Sequence, residues 1–130
     1  MAVLGLDPGT RKCGFAVVSA LGAPPEALGI IPIEALEARL REILAAHPIE
    51  LAAIGQGTNS AAVVAVARSL GLPIEMIDER ETTLRARARF FQDHPPRGWR
   101  RLMPRGMLLP DRPIDDYAAL LIAERHLGAV

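Results

Sequence analysis

The apolar run Val3-Leu4-Gly5-Leu6 stops abruptly on Asp7, Pro8 and Gly9. A short apolar run bounded by turn residues reads as a buried strand, and Pro8-Gly9 forces the chain to turn just past the aspartate. Asp7 is therefore expected at the carboxyl end of a strand, where a charge beside a core needs a reason. Cys13 to Val18 is a second apolar run, so Arg11 and Lys12 are expected at a hairpin connection next to that carboxylate. Taken alone, an aspartate at this place serves equally well as a turn cap.

The pattern that follows is α/β. Leu28 to Ile33 reads as a third strand, with Pro32 pointing to a sheet edge because proline removes a ladder donor. Glu34 to Ala46 reads as a helix with Leu36, Leu40, Ile43 and Leu44 on one stripe and Glu37 four residues before Arg41. Leu51 to Ile54 is a fourth strand, Thr58, Asn59 and Ser60 offer N-caps, and Ala61 to Leu70 is a second helix of small apolar residues. Pro73 to Ile77 is a fifth strand, followed at once by Asp78 and Glu79. Thr82 and Thr83 cap a further helix, residues 93–112 form a long proline-rich loop, and Pro113 to Leu127 is the last helix. Three sequential strands predict an antiparallel meander, and the later strand-helix alternation predicts right-handed crossovers that set strands four and five parallel to strand one.

One hundred and thirty residues, half of them hydrophobic, suit a single domain spanning 1–130. Cys13 is the sole cysteine, so an intrachain disulfide is excluded, and it reads as a small core residue. The N-terminus lacks a secretory pattern and no apolar run approaches bilayer length, so a cytoplasmic setting without membrane contact is expected.

The net charge is zero, but its distribution is uneven. Residues 80–112 contain nine arginines against Glu81, Asp93 and Asp111, so nine minus three leaves plus six. Lys12 is the only lysine, and an arginine bias suits bidentate contacts to phosphate oxygens. Arg85 and Arg89 share a helix face, and Arg97, Trp99, Arg100 and Arg101 fall in the long loop, where the indole could stack on an unpaired base. With Arg11, Lys12 and Arg80 these are the candidate nucleic-acid contacts; a merely solvated arginine surface is the competing reading.

Asp7 ends strand one, Glu79 follows strand five and Asp115 opens the last helix, all at one rim of the expected sheet. Asp115 is expected to face the sheet together with Ala118, Ala119 and Ile122, leaving Asp116 rotated away by about 100°. Three converging carboxylates repel one another unless a cation joins them, and hard oxygen ligands suit Mg²⁺ or Mn²⁺, which can activate water on a phosphodiester. His47, His94 and His126 have no ligand spacing, so zinc is not indicated.

Leu6-Asp7-Pro8-Gly9-Thr10-Arg11-Lys12-Cys13-Gly14-Phe15-Ala16, Asp78-Glu79-Arg80-Glu81-Thr82-Thr83 and Asp115-Asp116-Tyr117-Ala118-Ala119-Leu120-Leu121 resemble the three blocks of the YqgF (RuvX) family of the RNase H-like, RuvC-related superfamily. The resemblance covers nearly the whole chain. It implies an RNase H-like five-stranded sheet of order three-two-one-four-five and a divalent-metal nuclease whose acids fall on Asp7, Glu79 and Asp115. It also implies processing of the pre-16S rRNA, with Holliday-junction resolution in DNA recombination or repair as the alternative. The substrate would then be an RNA precursor or branched or single-stranded DNA. Two other classes compete. One is a nucleotide-binding domain of the actin and sugar-kinase type, for which one domain of this length is too small. The other is a non-catalytic module whose arginines bind phosphates and whose acids cap turns.

Overall fold

The computed structural model describes residues 2–20, 23–57, 59–77 and 115–128. The elements run β1 (Ala2–Pro8), β2 (Lys12–Val18), β3 (Ala27–Pro32), a 3-10 turn (Ile33–Ala35), α1 (Leu36–Ala46), β4 (Ile49–Gly55), α2 (Ser60–Ser69), β5 (Ile74–Ile77) and α3 (Asp115–Gly128). The helix expected from Glu34 thus forms in two parts, the 3-10 turn after Pro32 and the α-helix from Leu36.

The five strands form one sheet in the order β3-β2-β1-β4-β5. β1, β2 and β3 make the antiparallel meander, while β4 pairs parallel to β1 and β5 parallel to β4. Pro32 lies opposite Lys12 on edge strand β3, where its missing N–H disrupts no second ladder. This is the mixed sheet that the run lengths and turn residues predict.

Strand alternation divides the core into two layers. Leu4 and Leu6 of β1, Cys13, Phe15 and Val17 of β2, and Ala52 and Ile54 of β4 point to one face, where Leu36, Leu40 and Ile43 of α1 and Val63 and Ala67 of α2 cover them. Each fully buried Leu or Ile here contributes about 1.5–3 kcal/mol. The surface of α1 carries the expected Arg41–Glu37 pair at 3.3 Å, exposed and therefore weak. Val3, Ala16, Val18, Ala53 and Ile77 point to the opposite face, covered by Tyr117, Ala119, Leu120, Ile122 and Ala123 of α3. Among the described residues no helix is long and apolar enough to cross a membrane.

The second layer is thin because one row across the sheet is nearly bare. Gly5 stands between Ala16 of β2 and Ala53 of β4, so α3 can sink onto the strands. A Cβ at Gly5 would run into the Ala119 carbonyl and lie 2.8 Å from the Ala123 Cβ. Gly5 is required by this close approach rather than by a turn.

Candidate active site

Asp7 shares a sheet face with Val3 and Gly5, because strand residues two apart point the same way. It is half-buried at the end of the face that α3 covers. Its partner on β2 is Gly14. On the other side Leu6 pairs with Ile54, so the next step along the parallel ladder sets Asp7 level with Gly55, which in turn pairs with Ile77 of β5. Asp7 is therefore the one acid in a row that reads Gly14, Asp7, Gly55, Ile77, with no side chain on either immediately adjacent strand. Carboxylate, bare floor and rim coincide at this point.

Gln56 N–H donates to the Ile77 carbonyl at 2.9 Å, so β4 and β5 stay paired up to the level of Asp7. Because β5 is two strands from β1, the strand spacing separates their backbones by about 10 Å. Glu79, Arg80, Arg85, Arg89, Arg97, Trp99, Arg100 and Arg101, with the expected helix from Thr82 and the long loop after it, lie outside the described residues. Arg11 is exposed in the turn between β1 and β2, and its carbonyl accepts from Ile33 N–H at 2.9 Å. Lys12, half-buried, opens β2. Arg11 in the turn and Lys12 just past it thus both lie at the connection that follows Asp7, as the hairpin reading expects.

α3 begins at Asp115, whose side chain lies outside the described residues. The expectation for its neighbour needs correction. Asp116 is 5% exposed, the one buried charged residue among those described, and its Oδ1 accepts from Tyr117 N–H at 2.9 Å. The expected contact face centres on Ala118, Ala119 and Ile122, but Ala118 is only half-buried, and Ala119 and Ala123 are the residues that meet Gly5. With a line between Ala119 and Ala123 as the centre, 100° per residue sets position 116 only about 40° to one side. Asp116 thus borders the sheet-facing side instead of pointing away from it. A carboxylate is tolerated there because the first helical turn presents free N–H groups and the positive end of the dipole.

Asn59 carries a feature that the sequence does not announce. It occupies the N-cap of α2 with φ 65° and ψ 17°, yet its side chain makes no capping bond. Its Nδ2 instead donates to the Gly9 carbonyl at 3.2 Å, across 50 residues of sequence. Asparagine before a helix signals a cap; only the juxtaposition of the β4–α2 connection with the turn after Asp7 reveals the other use.

Among the described residues no group of three or more His, Cys, Asp and Glu side chains forms a metal cluster. Cys13 is buried in the core layer opposite α3, so it takes no part at this face.

No family model matches the chain. It is 32% identical, across 98% of both chains, to a Streptococcus pyogenes protein named "Putative pre-16S rRNA nuclease". A Pelotomaculum thermopropionicum protein of the same name is 29% identical, with 99% of this chain and 88% of that one covered. Among solved structures, Thermus thermophilus RuvC superposes with a TM-score of 0.62 at 20% identity, covering 97% of this chain and 92% of that one. The same organism's RuvC in complex with a Holliday junction substrate gives 0.64 at 22% identity. The likeness to RuvC establishes an RNase H-like fold.

Proposed function

The chain belongs to the YqgF (RuvX) family, and on that premise we propose that it is a nuclease that hydrolyses phosphodiester bonds of precursor 16S rRNA in the cytoplasm, using a divalent cation at the carboxyl rim of its sheet. The observation that carries the reading is Asp7 at that rim, flanked on its own face by Gly14 and Gly55. A bare floor on both sides leaves room for a hydrated cation and a phosphate beside a hard oxygen donor, which is the environment that Mg²⁺ or Mn²⁺ requires.

Asp7, Asp115 and Glu79 are the residues that would hold the ion. From Gly5 to Asp7 the strand advances about 6.7 Å, and from Ala119 back to Asp115 the helix advances about 6 Å. Ala119 and Ala123 lie against Gly5, two residues before Asp7, so the helix that starts at Asp115 seats on the strand that carries Asp7, which supports their acting together. Glu79 follows the end of β5 by two residues and lies outside the described residues; β5 itself is two strands, about 10 Å, from β1, so a shared ion would depend on the reach of the glutamate side chain. When bound, the cation supplies a Lewis acid that lowers the pKa of an attacking water and neutralises charge on the leaving oxygen. The carboxylates orient that ion, and the half-buried rim limits competing solvent.

Three acids also repel the phosphate that they must receive. Arg11 and Lys12 beside the turn, with Arg80, Arg85, Arg89, Arg97, Arg100 and Arg101, supply the opposing positive field, and Trp99 supplies a stacking surface for an unpaired base. The test offers the purified protein precursor 16S rRNA, single-stranded DNA and a four-way junction side by side in Mg²⁺, Mn²⁺ or EDTA. Metal-dependent cutting of the precursor is expected. Preferential cutting of the junction would replace the substrate, and no metal-dependent cutting of any of the three would overturn the assignment.

A further inference from the structure

Where β1 ends, its backbone leaves the ladder and its polar groups need new partners. Gly9 is the first residue past β1, and a Cβ there would lie 2.6 Å from the Lys12 carbonyl, so the turn is tightly closed on itself. The Gly9 carbonyl is taken by the Asn59 side chain at 3.2 Å. Asn59 adopts the left-handed region, the one non-glycine to do so among the described residues, and forgoes the capping bond that its position at the head of α2 offers. Left-handed backbone and an unused cap both disfavour this arrangement locally, so its gain is the tie to the turn.

We propose that Asn59 is a positioning residue for the nuclease site: by holding the Gly9 carbonyl it fixes the turn that follows Asp7, and so fixes the direction of the Asp7 carboxylate. This rests on the nuclease reading of Asp7. The tie joins the turn after β1 to the β4–α2 connection, beyond the end of the ladder that pairs the two strands bordering the bare floor. Asp7 lies two residues before the held carbonyl, so the tie limits how far the end of β1 can shift, and misplacement of order 1 Å in a positioned group is enough to cost large factors in rate.

Asn59→Gly tests this cleanly, because glycine enters the left-handed region without strain and removes only the amide. Four measurements are made on wild type and variant: the melting temperature, amide hydrogen exchange at residues 9–12, Mn²⁺ affinity by electron paramagnetic resonance, and kcat and KM on precursor rRNA. The variant is expected to melt at the wild-type temperature, exchange faster in the turn, bind Mn²⁺ several-fold more weakly and lose about tenfold in kcat with KM unchanged. Unchanged Mn²⁺ affinity and turn exchange overturn the proposal, as does a kcat loss that merely follows a lowered melting temperature. The wild type and Asp7→Asn separate the two claims. If the wild type fails to cut, the nuclease reading fails and the exchange and Mn²⁺ data still decide whether Asn59 orders the turn. If the wild type cuts, Asp7→Asn does not, and Asn59→Gly cuts as well as wild type, only the role of Asn59 is lost.

Discussion

At the scale of single residues, charge and shape can be separated at Asp7. Asn keeps the outline of the side chain and removes the charge that would hold a cation, while the core layers around Leu4 and Leu6 stay untouched. Asp7→Asn is expected to melt like the wild type and to lose about a hundredfold or more in metal-dependent cleavage, read by gel assay on precursor rRNA. Full activity in the folded variant would remove Asp7 from the site. The neighbouring pair on α3 divides differently. Asp115→Asn should abolish cleavage with little change in stability. Asp116→Ala should lower stability by about 1–2 kcal/mol, since the Tyr117 N–H loses its acceptor in a buried setting. Thermal melts and cleavage rates on both variants check the division, and a larger loss of activity at Asp116 without destabilisation would reverse the two roles.

At the scale of elements, the seating of α3 depends on Gly5. The obstructing atom is a backbone carbonyl in mid-helix, which cannot rotate aside as a side chain could. Gly5→Ala should therefore cost about 3 kcal/mol or more and lower the melting temperature by roughly 10 °C. A melt within about 2 °C of wild type would show that α3 tolerates a methyl group beneath it. The same contact explains what the sequence conveys and what it withholds. The order of the strands is implied by the family resemblance, while the five strands and the stripe of α1 are legible because apolar runs, period 3.6 and turn residues each leave a local mark. The phase of α3 is not, because Ala118, Ala119 and Ala123 are all small and admit two faces about 70° apart. Gly5 decides between them, and it is far away in sequence. Asn59 is opaque for a related reason: capping and bridging call for the same side chain, and only Gly9 in space distinguishes them. The position of Asp7 is legible from Pro8-Gly9 alone, whereas its two glycine neighbours emerge only from strand register.

At the scale of the whole molecule, charge is divided unevenly along the chain: residues 80–112 carry plus six, and the rest of the neutral chain balances it with minus six. Affinity for nucleic acid should accordingly fall steeply with salt. Replacing Arg85 and Arg89 together by Gln should flatten the slope of log affinity against log salt by at most about two counterion units. A titration without cleavage, in Ca²⁺ or without metal, reads it directly, and an unchanged slope with unchanged affinity would move the substrate path elsewhere. The docking of α3 has one more consequence, for the life of the protein before it is complete. In chain order α3 follows all five strands, so it is synthesised after the row of Ala16, Gly5 and Ala53 against which it packs. Asp7 belongs to β1 and Asp115 to α3, so the proposed site cannot assemble before α3 has been made. A nuclease proposed to act on ribosomal RNA would thus remain harmless to the ribosome that is making it until α3 has emerged and folded back onto β1.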